Sequence, residues 1–180
     1  MPTHEERMQK KQAVVRGRIE SARHERGILL LNTGNGKGKS SAAFGVLARA
    51  LGHGLRAAVV QFVKGRSDTG EEAFFRGHAS VAWHVGGEGF TWETQDRERD
   101  ARAAAAAWQV ARAHLDDPGI DLVILDELTY AFKYDWLPLP EVIAALQARP
   151  PLQHAIVTGR GAPPALREIA DTGTEMNMEK

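Results

Sequence analysis

Short apolar runs that show almost no in/out alternation are what most limits this 180-residue chain. Ile28-Leu29-Leu30-Leu31, Ala57-Ala58-Val59-Val60-Gln61-Phe62, Leu122-Val123-Ile124-Leu125 and His154-Ala155-Ile156-Val157-Thr158 are four of them, and Val81–Val85 is a weaker fifth. Strands that read this way are buried on both faces. Between them lie helical patterns. One runs from Lys39 to about Gly52, and Pro140 to Ala148 is another. The longest repeats Ala101, Ala104, Trp108, Ala111 and Leu115 at intervals of three and four, and the alanine run Ala103–Ala107 adds intrinsic propensity. Pro118-Gly119 ends it. Strands alternating with helices predict an α/β fold, a parallel β-sheet with helices on both faces. Ligands of such sheets bind beyond the carboxyl ends of the strands.

Composition removes several functions. Lys+Arg 23 against Asp+Glu 23 gives a formal net charge of +0, which argues against a dedicated nucleic-acid binder or a polybasic membrane-surface protein. With Cys 0, disulfide scaffolds, cysteine nucleophiles and thiolate metal sites are excluded. Nothing near the N-terminus resembles the apolar core of a signal peptide, and no stretch approaches a membrane span. The expected location is cytoplasmic. Residues 1–26 form a polar arm, with Met8, Val15, Ile19 and Ala22 at helical spacing on a charged background. Two readings stay open for it: a solvated helix docked on its own domain, or a mobile arm that closes over a ligand or a neighbouring subunit.

Gly34-Asn35-Gly36-Lys37-Gly38-Lys39-Ser40 joins the first strand to the first long helix, the place a phosphate-binding loop must occupy. Glycines let backbone N–H groups turn inward around phosphate oxygens, Lys39 supplies a point charge, and the Ser40 hydroxyl can hold Mg²⁺. The helix adds its N-terminal dipole. The usual G-x-x-x-x-G-K-[ST] spacing is not met, because its first glycine would fall on Thr33, and Lys37 is an extra cation. The loop points to nucleotide binding rather than to ordinary hydrolysis. Asp126-Glu127 ends the Leu122–Leu125 run, where a carboxylate can face the same Mg²⁺; either acid can serve, and one of them is expected to cap the following turn. Arg160, after the last strand, reaches the same end of the sheet and could offset phosphate charge.

Other catalytic plans find no support. The seven histidines include no pair at metal-ligand spacing on one helix, and Ser40-Ser41 lacks the context of a nucleophile elbow. Most aromatics fall in core periodicity. Phe90 and Trp92 do not: they lie in Gly86-Gly87-Glu88-Gly89-Phe90-Thr91-Trp92-Glu93-Thr94, where they either bind a flat apolar ligand or pack over the sheet edge.

Thr33 to Gly45, with its variant phosphate loop, resembles the corrinoid adenosyltransferases of the CobA/CobO/BtuR type. So do Gln61-Phe62-Val63-Lys64-Gly65, Gly89–Thr94, Leu125-Asp126-Glu127-Leu128-Thr129-Tyr130 and Thr158-Gly159-Arg160-Gly161, which occur in family order between about Gly27 and Met176. The resemblance implies a RecA-like P-loop fold over residues 27–180 and transfer of the 5′-deoxyadenosyl group of ATP to Co(I) of a corrinoid, with triphosphate released. The pathway is adenosylcobalamin biosynthesis or salvage. It also implies Mg²⁺, a homodimer, a flavoprotein reductant, and an N-terminal helix covering the corrinoid site. By the resemblance, Gly34, Asn35, Gly36, Lys37, Gly38, Lys39, Ser40, Ser41 and Arg160 bind the nucleotide, and Ser40 and Glu127 hold the metal. Phe90, Trp92 and Glu127 face the corrinoid, and Lys39, Glu127, Phe90 and Trp92 act in the reaction. Phe90 and Trp92 would displace the lower cobalt ligand, making Co(II) easier to reduce.

Two features depart from the family's pattern. Gly173 stands where an aliphatic residue is usual, and the chain stops at Lys180 where similar proteins continue into a further tail, which leaves that tail's part in closing the site open. Ser40 replaces the commoner threonine and keeps the hydroxyl. The competing enzyme class is a P-loop ATPase or small-molecule phosphotransferase releasing ADP; a nucleotide-gated switch or corrinoid carrier is the non-enzymatic one.

Overall fold

The strand that carries the phosphate loop, β1 (Leu29–Thr33), runs inside the sheet rather than at its edge. The computed structural model describes residues 3–21, 25–63, 69–86 and 97–180. Chain order is α1 (His4–Ser21), β1, α2 (Lys39–Gly52), β2 (Ala57–Gln61), α3 (Gly70–Phe75), β3 (Val81–Val85), α4 (Arg97–Leu115), β4 (Leu122–Asp126), α5 (Thr129–Lys133), α6 (Leu139–Ala148), β5 (His154–Thr158), α7 (Pro164–Ile169) and β6 (Thr172–Glu175). The six strands lie in the order β3-β2-β4-β5-β1-β6, and every pairing is parallel. This is the expected α/β architecture of a RecA-like P-loop fold, with β5 inserted between the phosphate-loop strand β1 and the acidic strand β4.

Burial follows the sequence pattern. Every residue of β2 and β4 is buried. On one face Leu29, Leu31, Val60 and Val123 pack under Trp108, Ala111 and Leu115 of α4, with Val142 and Leu146 of α6 and Leu166 of α7. On the other, Val59, Ile124 and Ile156 pack under Ala43, Phe44 and Leu47 of α2, joined by Phe75 and Trp83. Each fully buried aliphatic or aromatic side chain contributes roughly 1.5–3 kcal/mol relative to exposure. The Trp108 indole also donates to Glu141 at 2.8 Å, which ties α4 to α6. Gln153 secures the end of α4: its Nε2 lies within 3.1 Å of the carbonyls of His114, Asp117 and Ile120.

The first strand starts one residue later than its apolar run and continues to Thr33, because Asn32 pairs with Thr158 and Thr33 with Glu175. The short elements α3, α5, α7 and β6 add to those anticipated. Thr69 caps α3 by accepting from Glu72 N–H at 3.4 Å. Helix α1 is closed by a reciprocal capping box, Thr3 N–H to Glu6 and Glu6 N–H to Thr3 Oγ1. None of its residues is buried. Among the described residues no helix is long and apolar enough to cross a membrane.

Candidate active site

The parallel order brings the carboxyl ends of β1, β5 and β4 side by side, and the loop residues from Gly34, Asp126-Glu127 and Arg160 lie at those ends. Gly34 and Gly38 take positive φ values of 99° and 98°, which glycine alone adopts without strain. Gly38 is the N-cap of α2 and no side chain caps that end, so the first-turn amides have no side-chain acceptor competing for them. Asn32 Nδ2 holds the Lys39 carbonyl at 3.2 Å, which fixes the start of α2 against β1. Asn35, Lys37, Gly38 and Ser41 are exposed, Ser40 is half-buried, and Gly36 is buried.

Lys39 is 5% exposed, and its Nζ donates to the Gly36 carbonyl at 2.5 Å. Burial holds its pKa below the ordinary value; Glu127 opposes that shift, while Arg160 and Lys37 reinforce it. Glu127 shifts upward, through burial first and the neighbouring Asp126 second, with Lys39, Arg160 and Lys37 pulling it back. Each charge thus senses the others: Lys37, Lys39, Asp126, Glu127 and Arg160 form one electrostatic cluster.

The two adjacent acids are not equivalent. Asp126 is 3% exposed and both its oxygens are used: Oδ1 accepts from Thr158 Oγ1 at 2.7 Å and Oδ2 from Gln61 Nε2 at 3.1 Å. Thr158 Oγ1 in turn accepts from the Glu127 N–H at 2.9 Å. Neither side chain caps α5, contrary to the expectation for one of them, because the three-strand network claims Asp126 first. Glu127 has φ 59°, a left-handed backbone rare for a side chain of its size, and among the described residues its buried Oε2 has no hydrogen-bond partner. An unpartnered buried carboxylate oxygen is what a cation-binding position requires. Ser40 and Glu127 therefore fit Mg²⁺ in donor chemistry, and Asp126 is already committed.

Beside this cluster is a cleft of about 510 Å³ between Asn35, Tyr130 and Lys133 of α5, and Arg160, Gly161 and Pro163. Thr129 Oγ1 donates to the Arg160 carbonyl at 2.8 Å and so sets the course of that loop. The roles of Gln61, Thr158, Tyr130 and Lys133 were not assigned from sequence, although three of these residues stand inside quoted motifs; the partner of a side chain on a neighbouring strand leaves no local pattern. Phe90 and Trp92, as well as Lys64 and Gly65, lie outside the described residues. The structure also pairs His84 with His114, Nε2 atoms 3.0 Å apart, although they are 30 residues apart in sequence.

Comparison with known proteins agrees with this geometry. The model of the family described as ATP:corrinoid adenosyltransferase BtuR/CobO/CobP matches residues 25–180. The chain is similar to the corrinoid adenosyltransferase of Pseudomonas aeruginosa, at 60% identity over 98% of this chain and 88% of that protein. It is 49% identical to the corrinoid adenosyltransferase CobA of Salmonella typhimurium, over 98% of this chain and 90% of the relative. Against the corrinoid adenosyltransferase of Escherichia coli strain K12 the identity is 46%, again over 98% and 90%. With a matching α/β fold and a phosphate loop set against a free carboxylate, the chain belongs to the ATP:corrinoid adenosyltransferase family.

Proposed function

We propose that the chain moves the 5′-deoxyadenosyl group of ATP onto Co(I) of cobalamin or a precursor corrinoid. Cobalt attacks C5′, the C5′–oxygen bond breaks, and triphosphate leaves with the electron pair. The observation that carries this reading is the family match across residues 25–180. The local chemistry supports it. Co(I) is itself the nucleophile, so the protein needs no general base; it must align C5′ with cobalt and offset the charge of the leaving group. Lys39 and Lys37 would neutralise phosphate oxygens, helped by the first-turn amides of α2 and by Arg160. Lys39 must exchange its bond to the Gly36 carbonyl for one to phosphate, a swap within the loop.

Mg²⁺ fits as the companion of ATP, with Ser40 and Glu127 as its protein ligands. When bound it would supply further charge neutralisation at the phosphates. Phe90 and Trp92 would cover the lower face of the corrin, and α1 the corrinoid site, which suits a helix that buries none of its own residues. A homodimer, a flavoprotein reductant and a cytoplasmic location complete the reading, in adenosylcobalamin biosynthesis or salvage.

Incubation with ATP, Mg²⁺ and chemically reduced corrinoid tests it. A light-sensitive Co–C product with free triphosphate is expected. ADP would indicate a phosphotransferase or ATPase, which the family match does not favour, and unchanged ATP a carrier or switch. Phe90→Ala and Trp92→Ala are expected to cripple the reaction when it starts from Co(II) with a weak reductant, and largely to spare it when Co(I) is supplied. Equal losses in both assays would reduce these aromatics to corrinoid positioning.

A further inference from the structure

We propose that the segment Thr172–Asn177 is a positioning clasp for the phosphate loop, which takes the Gly36 amide away from phosphate and sets the shape of the remaining loop. This deepens the ATP-binding reading above and rests on it. Met176 bonds the loop from both sides of its peptide: its N–H donates to the Thr33 carbonyl at 2.8 Å, and its carbonyl accepts from Gly36 N–H at 2.7 Å. Fit is as close as main chain allows. A Cβ at Gly34 would fall 2.3 Å from the Met176 carbonyl oxygen, and one at Gly36 2.7 Å from that of Asn177. The glycines at 34 and 36 are therefore required by the clasp, before any phosphate arrives. Gly38 differs, since its Cβ would meet only the Met176 sulfur at 3.6 Å.

All four residues of β6 are exposed, so no core burial holds this edge strand in place. The ladder to β1 and polar bonds at each end do that. Asp171, just before β6, accepts from Leu29 N–H at 2.8 Å and pairs with Arg26 at 2.5 Å, while Glu175 lies 3.5 Å from Arg167. A strand whose own residues are exposed, yet which is paired along β1 and pinned at both ends, the second of them on the phosphate loop, orders that loop as well as the sheet edge.

The test compares the full chain with one truncated after Glu175 and a control truncated after Met178, using ATP, Mg²⁺ and chemically reduced corrinoid. Loss of Met176 is expected to raise KM for ATP about tenfold or more, the effect of misplacing one charge-assisted phosphate contact, while kcat stays nearly unchanged. The control should match the full chain. Unaltered KM after loss of Met176 overturns the proposal, and a lowered KM would make the segment a blocker instead. Should the shorter chain fail to fold, Met176→Pro in the full chain deletes the N–H bonded to Thr33 and carries the same expectation. Hydrogen exchange of the full chain without nucleotide gives a second reading: the Gly36 amide should exchange as slowly as the β1 ladder, and rapid exchange overturns the clasp. If the ATP reading itself were wrong, the full chain would form no ATP-dependent product, a failure distinct from any of these.

Discussion

Adjacent residues at the end of β4 belong to two regions that treat charge in opposite ways. Around Asp126, side chains from three strands meet, and each carboxylate oxygen has a donor from its own neighbour. Around Glu127 and Lys39, among the described residues, the acid keeps a buried oxygen without a partner, and the lysine bonds the loop it belongs to. In the first region both Asp126 oxygens are satisfied within the fold, although Gln61 Oε1 is buried without a hydrogen-bond partner among the described residues. Under the proposed function, the second carries the groups that would take partners from a bound ligand. Burial alone does not separate the two; Lys39 is as inaccessible as Asp126.

Substitutions can break that distinction. The largest effect is expected from Asp126→Ala, which strands Thr158 and Gln61. Each buried group left unmatched costs about 1–3 kcal/mol, so the melting temperature should fall clearly in a calorimetric scan. A variant as stable as its parent would mean that the network is ornamental. Lys39→Ala comes next and should act on turnover, not folding. The lost phosphate contact is worth about 1.5–3 kcal/mol, which is at least a tenfold drop in ATP-dependent rate. Unchanged kinetics would remove the loop from the nucleotide site. Glu127→Gln should have the mildest consequences: similar shape, and a reaction that needs more added Mg²⁺. An unshifted metal titration would exclude Glu127 as a ligand.

The same variant has a pH signature. The Glu127 carboxyl titrates above its ordinary value of 4.5, so the folded chain favours the protonated acid. That contribution to stability is complete below the ordinary value and disappears as pH rises through the elevated one. Over that interval the parent should lose stability relative to Glu127→Gln. Parallel curves would mean that the carboxylate is not desolvated in solution.

Much of the scaffold was legible because burial on both faces leaves uninterrupted apolar runs, and Trp108 sat where helical spacing put it, 2% exposed. Strand β6 was not legible. Thr172-Gly173-Thr174-Glu175 has no apolar pattern, and it is a strand only because β1 offers it an edge. At Gly173 nothing lies within 4 Å of an added Cβ, so the departure from the family's aliphatic residue occurs in open space. The phosphate loop could be read from its glycines and lysines, yet the clasp against it could not. Asp126 and Glu127 were equally plausible as metal ligands in one dimension. What separates their surroundings is the pair of partners 32 and 65 positions away, Thr158 and Gln61, which bond Asp126.

The strand order has a consequence for how the protein is made. β1 is synthesised first among the strands, but its two ladder partners, β5 and β6, are the last. On the ribosome, where chains emerge at about 5–20 residues per second, β2, β3 and β4 can pair while β1 waits. The nascent chain therefore carries an unpaired apolar strand and an unclasped loop until β5 and β6 have emerged. Under the proposed function, competence to hold ATP is expected only once β5 and β6 have paired with β1. A stalled chain ending before His154 should show no nucleotide-dependent protection from protease, and one complete to Lys180 should.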